Sequence, residues 1–267
     1  MDVVNYVIRL IRSSRSQNPY ERDEAIQQLR SARVLDDLQA LLLSRRVNDR
    51  RQAIEFLGYI ATPEAIALAV KALNDRSSNV RLDVLDLLGF YEQRWSAKQV
   101  VAVMLTDPSS YVRKRAVETL AKFHLPETIP HLLEALEADE SSYVRYEAAR
   151  TLGNFGDRRT ALNLAYALIN DDNSYVQYAA AQALEKLGDA GMIPALFVGV
   201  ISENPYVRRA AFKALEAMPQ EAARAIREGL HSPEKRERWM TFAAMTVLSE
   251  DIRHQLPSWW GVKGAMN

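Results

Sequence analysis

Four short segments of this chain are near copies of one another at almost constant intervals. They are Ser109-Ser110-Tyr111-Val112-Arg113, Ser141-Ser142-Tyr143-Val144-Arg145, Asn173-Ser174-Tyr175-Val176-Gln177 and Asn204-Pro205-Tyr206-Val207-Arg208, at steps of 32, 32 and 31 residues. A period of this length marks a supersecondary unit that cannot bury its apolar face alone and must stack on copies of itself. Weaker copies extend the array upstream at Ser77-Ser78-Asn79-Val80-Arg81, Arg46-Val47-Asn48-Asp49-Arg50 and Asn18-Pro19-Tyr20-Glu21-Arg22, and downstream at Glu234-Lys235-Arg236-Glu237-Arg238.

Behind each segment the apolar residues keep a spacing of four: Val80, Val84, Leu88; Val112, Ala116, Leu120; Val144, Ala148, Leu152; Val176, Ala180, Leu184; Val207, Ala211, Leu215. That is one stripe of a helix. Its middle position is small in almost every copy, as in Ala25, Ala53, Ala116, Ala148, Ala180 and Ala211, so a neighbouring helix can approach closely. Asn or Ser opens most units, and Pro19 and Pro205 follow two of them, the signature of an N-cap with proline at the first helical position. A second helix follows, with Ile129, Leu132, Leu133 and Leu136, or Ala161, Leu164, Ala165 and Leu168, in the i, i+3, i+4, i+7 pattern. The sequence therefore predicts an all-α fold, a right-handed α-solenoid of stacked helix pairs, as a single domain over 1–267. Residues 1–16 read as an N-terminal capping helix carrying Val4, Val7, Leu10 and Ile11. Residues 17–248 read as seven to eight repeats, and 249–267, with Trp259-Trp260, as an irregular C-terminal cap that folds back on the last repeat or contacts another subunit.

Composition narrows the chemistry. Lys+Arg and Asp+Glu each number 34, so bulk charge gives no drive toward nucleic acid or anionic membranes. The absence of cysteine removes disulfides, thiolate metal sites and cysteine nucleophiles, and points to a reducing compartment. The longest apolar stretch, about Met192 to Ile201, is far short of the roughly 18 to 20 residues of a membrane span, and Met1-Asp2 opens no signal peptide. The expectation is a cytoplasmic protein. Four histidines, His124, His131, His231 and His254, form no H-E-x-x-H pattern, and no phosphate-binding glycine motif is present.

The copies Asp139 to Gly153 and Asp171 to Leu184, with Gly58, Gly89 and Gly153 near the helix ends, resemble the HEAT-like repeat of the phycobilisome-lyase type, D-x-x-V-R-x-x-A-x-x-x-L-G. The likeness covers about Gln17 to Leu248 and is similar to E/F-type phycobilin lyase subunits and related phycobilisome-handling proteins. It implies a stacked-helix fold. As a function it implies handling of an open-chain tetrapyrrole bilin and a phycobiliprotein or a second HEAT-repeat subunit as partner, with His131, Glu134, Arg159 and Tyr166 available to the pigment. The paired His-Glu dyads of HEAT-fold di-iron hydroxylases are absent, and Glu127, Glu134 and Glu137 make the second helices unlike the basic groove of HEAT-fold DNA glycosylases.

Three columns invite function. Tyr20, Tyr111, Tyr143, Tyr175 and Tyr206 could stack a planar ligand, but their place beside the inter-repeat turn predicts packing over the neighbouring unit. Arg22, Arg50, Arg81, Arg113, Arg145, Arg208 and Arg238 follow the buried valine, and Asp75, Asp107, Asp139 and Asp171 in the preceding turns are expected to pair with them. The outer side of the second helices, which would line a concave surface, is less charged than a free surface should be. With Leu105, Leu136, Leu168 and Val200 as the last buried positions, Val100, Val103, His131, Glu134, Leu162, Asn163, Tyr166 and Val198 are expected to face outward as a partner-binding strip. The leading expectation is a non-enzymatic protein-binding scaffold without cofactor or metal; a phycobilin lyase subunit is the alternative, and nucleic-acid binding the weaker one.

Overall fold

A computed structural model describes the backbone of residues 3–251 and the side chains of 3–244. Among these residues there are sixteen α-helices, five single 3₁₀ turns and no strand. The helices gather into two compact units that divide between Thr128 and Ile129.

In the first unit α1 (Val3–Ser13) buries Val7 and Leu10 against α2 (Pro19–Leu29) and α3 (Ala32–Leu42). Helix pairs then follow: α4 (Val47–Ile60) with α5 (Pro63–Lys71), α6 (Ser78–Phe90) with α7 (Ala97–Thr106), and α8 (Ser110–Phe123). First helices stack on first helices, α4 on α6 and α6 on α8. In the second unit α9 (Ile129–Ala138), α11 (Ala161–Asn170), α13 (Ile193–Val200) and α15 (Pro219–Leu230) alternate with α10 (Ser142–Phe155), α12 (Ser174–Leu187), α14 (Pro205–Glu216) and α16 (Lys235–Asp251). Again α10 packs on α12 and α12 on α14, while α9, α11 and α13 form the second layer.

The sequence pattern explains the core. Val80, Val84, Leu88, Val112, Ala116, Leu120, Val144, Ala148, Leu152, Val176, Ala180 and Leu184 are all buried. Helix entry is built as the caps predict: Asn18, Asn173 and Asn204 accept the amides of Tyr20, Tyr175 and Tyr206 through their side-chain oxygens. Exit is different from the expectation raised by Gly153, which lies inside α10. The left-handed residue that ends α10 is Gly156 at φ +69°, and Gly188 at +57° ends α12. Gly153 instead lets α12 approach, since a Cβ there would sit 2.6 Å from that of Ala183. Each second helix in the middle of the array starts from a buried hydroxyl that donates three residues back: Ser96 to the Gln93 carbonyl at 2.7 Å, Thr128 to that of Leu125 at 2.7 Å, and Thr160 to that of Asp157 at 2.8 Å.

The Trp259-Trp260 cap and His254 lie outside the described residues.

Candidate functional site

Between its ends the arginine column folds inward, whereas Arg22 and Arg238 stand exposed. In unit 1, Arg50 grips Asp75 with Nε and Nη2 at 2.6 and 2.8 Å, and Arg81 grips Asp107 at 2.6 and 2.7 Å. In unit 2, Arg145 grips Asp171 at 2.7 and 3.0 Å. This corrects the expected order of pairing: the acid comes from the turn that follows the arginine's repeat. The preceding turn contributes its carbonyl, from Asp75 to Arg81 at 2.8 Å and from Asp139 to Arg145 at 3.0 Å. Stacking places each helix start over the next turn, so a guanidinium bridges two turns at once. Each aspartate also accepts the amide two residues on, Ser77 for Asp75, Ser109 for Asp107 and Asn173 for Asp171. Burial works to raise the Asp75 carboxyl, but the bonds from Arg50 and the Ser77 amide outweigh it and hold its pKa below the usual carboxylate range. These charges are structural and give no anion site.

The tyrosine column is also corrected. Tyr20, Tyr111, Tyr143, Tyr175 and Tyr206 do not pack over the neighbouring repeat; they stand 66–87% exposed. At the second helical residue the side chain leaves the axis beside the turn, and the adjoining repeat covers the valine next to it.

The predicted strip divides between the units. Val100 and Val103 lie in unit 1, where Val100 is fully buried, and its assignment to the outer surface is withdrawn. The register of α7 differs by one residue from the expectation: Met104, not Leu105, joins Val100 in the core, and Val103 is half-buried. Both residues at the end of that helix are apolar, so the sequence pattern could not choose between them.

In unit 2 the register holds. His131 and Glu134 share an exposed face of α9, with Nδ1 and Oε2 4.0 Å apart. Asn163 is half-buried and donates from Nδ2 to Glu137 Oε1 at 2.5 Å, tying α11 to α9. On α11, Leu162 is 72% and Tyr166 65% exposed, directly opposite buried Leu164 and Leu168. Ile169, 40% exposed, continues that row at i+7; the i, i+4, i+7 spacing carried this signal, but sequence reasoning missed it. Beside the row, between α9 and α11, opens a cavity of about 290 Å³ bounded by Glu137, Asn163, Tyr166, Asn170 and Asp172. Toward the end of the chain the strip closes: Ala195 is buried, and Val198 is half-buried where α13 packs against α11, α14 and α16.

Arg159 lies in the turn before α11, largely exposed, and clamps Asp157 with Nε and Nη2, the closest contact being 2.6 Å. That hydrogen bond raises the guanidinium pKa and lowers that of the carboxyl. Arg159 thus already has a carboxylate partner, with which another anion at this place would share it. Sequence reasoning also missed a groove of about 680 Å³ in unit 1 between α4 and α6, walled by Arg51, Glu55, Asp83, Phe90 and Tyr91. The Tyr91 hydroxyl donates to the Gly58 carbonyl at 2.6 Å there.

Comparison with known proteins agrees with the helix pairs. A family profile described as HEAT repeats matches residues 35–121, 97–165 and 161–245. No curated protein matches the sequence. Among solved structures, the X-ray structure of YibA of Escherichia coli is 20% identical with a TM-score of 0.51, covering 88% of this chain and 87% of its own, a likeness of fold. The complex of CpcE and CpcF of phycocyanin lyase from Nostoc sp. is 16% identical with a TM-score of 0.39, covering 90% of this chain and 93% of that one. A set of computationally designed armadillo repeat proteins for modular peptide recognition is 18% identical with a TM-score of 0.44, covering 78% and 98%.

Proposed function

We propose a protein-binding role for this chain, which belongs to the HEAT-repeat family: a non-enzymatic scaffold that captures a partner segment on the second-helix face of unit 2. The observation that carries this reading is the exposed row Leu162, Tyr166 and Ile169 on α11, an apolar stripe with no covering element among the described residues. A helix apolar on both sides is ordinarily buried on both, and an aromatic flanked by aliphatics is the composition of an interface centre. Glu134, His131 and the Glu137–Asn163 pair border the row with polar groups that fix orientation. The occupant this surface fits is an apolar segment carrying donors at its edges.

Capture from host lysate by the wild-type protein, beside a Leu162→Glu/Tyr166→Glu variant, tests the reading. The expected result is a specific protein retained by the wild type and lost in the variant, with the variant's melting temperature unchanged. Identical eluates from the two would overturn it. Bilin handling, as in a phycobilin lyase subunit, rests on the same His131, Glu134 and Tyr166 together with Arg159. A visibly coloured eluate containing phycobiliprotein, or an absorbance change on titrating phycocyanobilin, would favour that alternative.

A further inference from the structure

The α11 row is bordered by charge on one flank only. Glu134 and Glu137 stand exposed on α9, and neither a lysine nor an arginine occurs anywhere in α9, α11 or α13. The chain as a whole holds as many cations as carboxylates, so their absence from three successive second helices leaves this face acidic on a neutral molecule. The other flank, on α13, is uncharged, with Pro194 exposed and Val198 half-buried.

Neither carboxylate is held by a lysine or arginine of the described residues. Glu137 accepts from the Asn163 amide, a neutral donor, and Glu134 has His131 with Nδ1 4.0 Å from its Oε2. The cations of the adjoining turns lie at the two ends of the face: Arg145 holds Asp171 and Asp172 past the end of α11, Arg159 holds Asp157 before its start, and Arg158 stands exposed in that same turn. On α15, which packs on α13, Arg224 holds Glu228 and Arg227 is exposed.

Covering the row takes water from the acids beside it. Glu137 and Tyr166 line the same cavity between α9 and α11, so a group seated on the ring also closes over that carboxylate. A wholly apolar occupant would strand the charge; one with cations on its α9 side turns the desolvation cost into attraction. A helix can carry such a one-sided border, because its apolar stripe at i, i+4, i+7 has lateral neighbours, whereas the side chains of an extended strand point only toward or away from the surface. The same carboxylates repel phosphate, which disfavours nucleic acid and anionic membranes.

We infer that the segment captured on the α11 row is an amphipathic helix of a partner protein, with lysine or arginine along one flank of its apolar stripe set opposite Glu134 and Glu137; this identity rests on the α11 row being the capture surface.

The test is selection of a displayed library of random peptides, each about four helical turns long, on the full chain, with the Leu162→Glu/Tyr166→Glu variant as counter-target. The best peptide is then synthesised and titrated calorimetrically at near-physiological salt. Selected peptides are expected to carry apolar residues at i, i+4 and i+7 and lysine or arginine on one flank. The synthetic peptide should bind a Glu134→Gln/Glu137→Gln variant about tenfold more weakly than the wild type, and the same peptide with glutamine for its flank cations should bind the two proteins equally. Glutamine at 137 keeps an acceptor for Asn163, so the variant's melting temperature should not change. Selected peptides that lack flank cations or are extended and proline-rich, or an affinity that the glutamine variant leaves unchanged, would overturn the basic helix while leaving the row as the capture surface. If no peptide prefers the wild type to the counter-target, the row is not the surface and both readings fall.

Discussion

Arg50 and Asp75 are nearly out of solvent, with side chains 3% and 9% exposed, so neither can lose its partner cheaply. Removing one member of a buried pair strands the other charge and costs about 3 to 5 kcal/mol, whereas replacing both by groups that suit each other can be close to neutral. The chain itself supplies the neutral version. Gln177 takes the arginine's place in α12 and donates to the Asp171 carbonyl at 2.8 Å, and in the next turn Ser202 replaces the aspartate and still accepts the Asn204 amide at 3.2 Å. Asp75→Ser alone should therefore lower the urea-derived unfolding free energy by about 3 kcal/mol, and adding Arg50→Gln should restore more than half. A double variant no better than the single one would refute the exchange. The same pair sets an acid limit. The Asp75 carboxyl titrates below its unfolded value of about 3.9, so its contribution is complete above that pH and is lost as pH falls through the folded value. Wild-type stability should be flat from about pH 7 to 5 and drop below about 4, and the Arg50→Gln/Asp75→Ser variant should drop less over that window in the same denaturation series. The partner type of the arginines was legible from the sequence, because aspartates recur with them. The order of pairing was not, because it depends on which turn the stack lays over each guanidinium.

At the scale of the helix, the apolar stripes and caps were readable wherever only one register buried a complete stripe. In α7 two adjacent apolar residues, Met104 and Leu105, satisfied the pattern equally, and packing on α8 decided in favour of Met104 and Val100. Exposure was harder to read than burial: a tyrosine beside a turn looks like a packing residue until the neighbouring helix is seen to pass elsewhere. Gly153 shows the converse, a position whose role is set wholly by a neighbour. Replacing a mid-helix glycine by alanine ordinarily stabilises by about 1 kcal/mol. Here the new methyl would lie 2.6 Å from the Cβ and 2.7 Å from the Cα of Ala183, and the Cα cannot move without shifting α12. Gly153→Ala is expected to destabilise by about 1 to 2 kcal/mol net, the overpacking term exceeding the propensity gain. Thermal melting followed by circular dichroism would check this, and a rise in melting temperature would show that α10 and α12 can part at little cost.

At the scale of the molecule, the principal contacts of each unit join a helix to its own repeat or the adjoining one: α4 to α6, α6 to α8, α10 to α12, α12 to α14. Stability in such an array is a sum of repeat and nearest-neighbour terms, so damage should stay near its origin. The buried ion pairs are themselves nearest-neighbour bonds, since each spans the 25 or 26 residues from one helix start to the following turn. Asp75→Ser weakens one such bond, that of α4 with the turn leading into α6. Amide hydrogen exchange of the full-length variant should then lose protection mainly in α4, α5 and α6, while α12 and α14 keep wild-type protection. The reciprocal variant Asp171→Ser should expose α10, α11 and α12 and spare α4. If either substitution lowered protection evenly across all helices, the chain would open as one cooperative body, and the repeat-by-repeat account of its stability would fail. Local opening also bears on binding. The α11 row lies in unit 2, so Asp171→Ser should weaken capture there, whereas Asp75→Ser, acting in unit 1, should leave it intact.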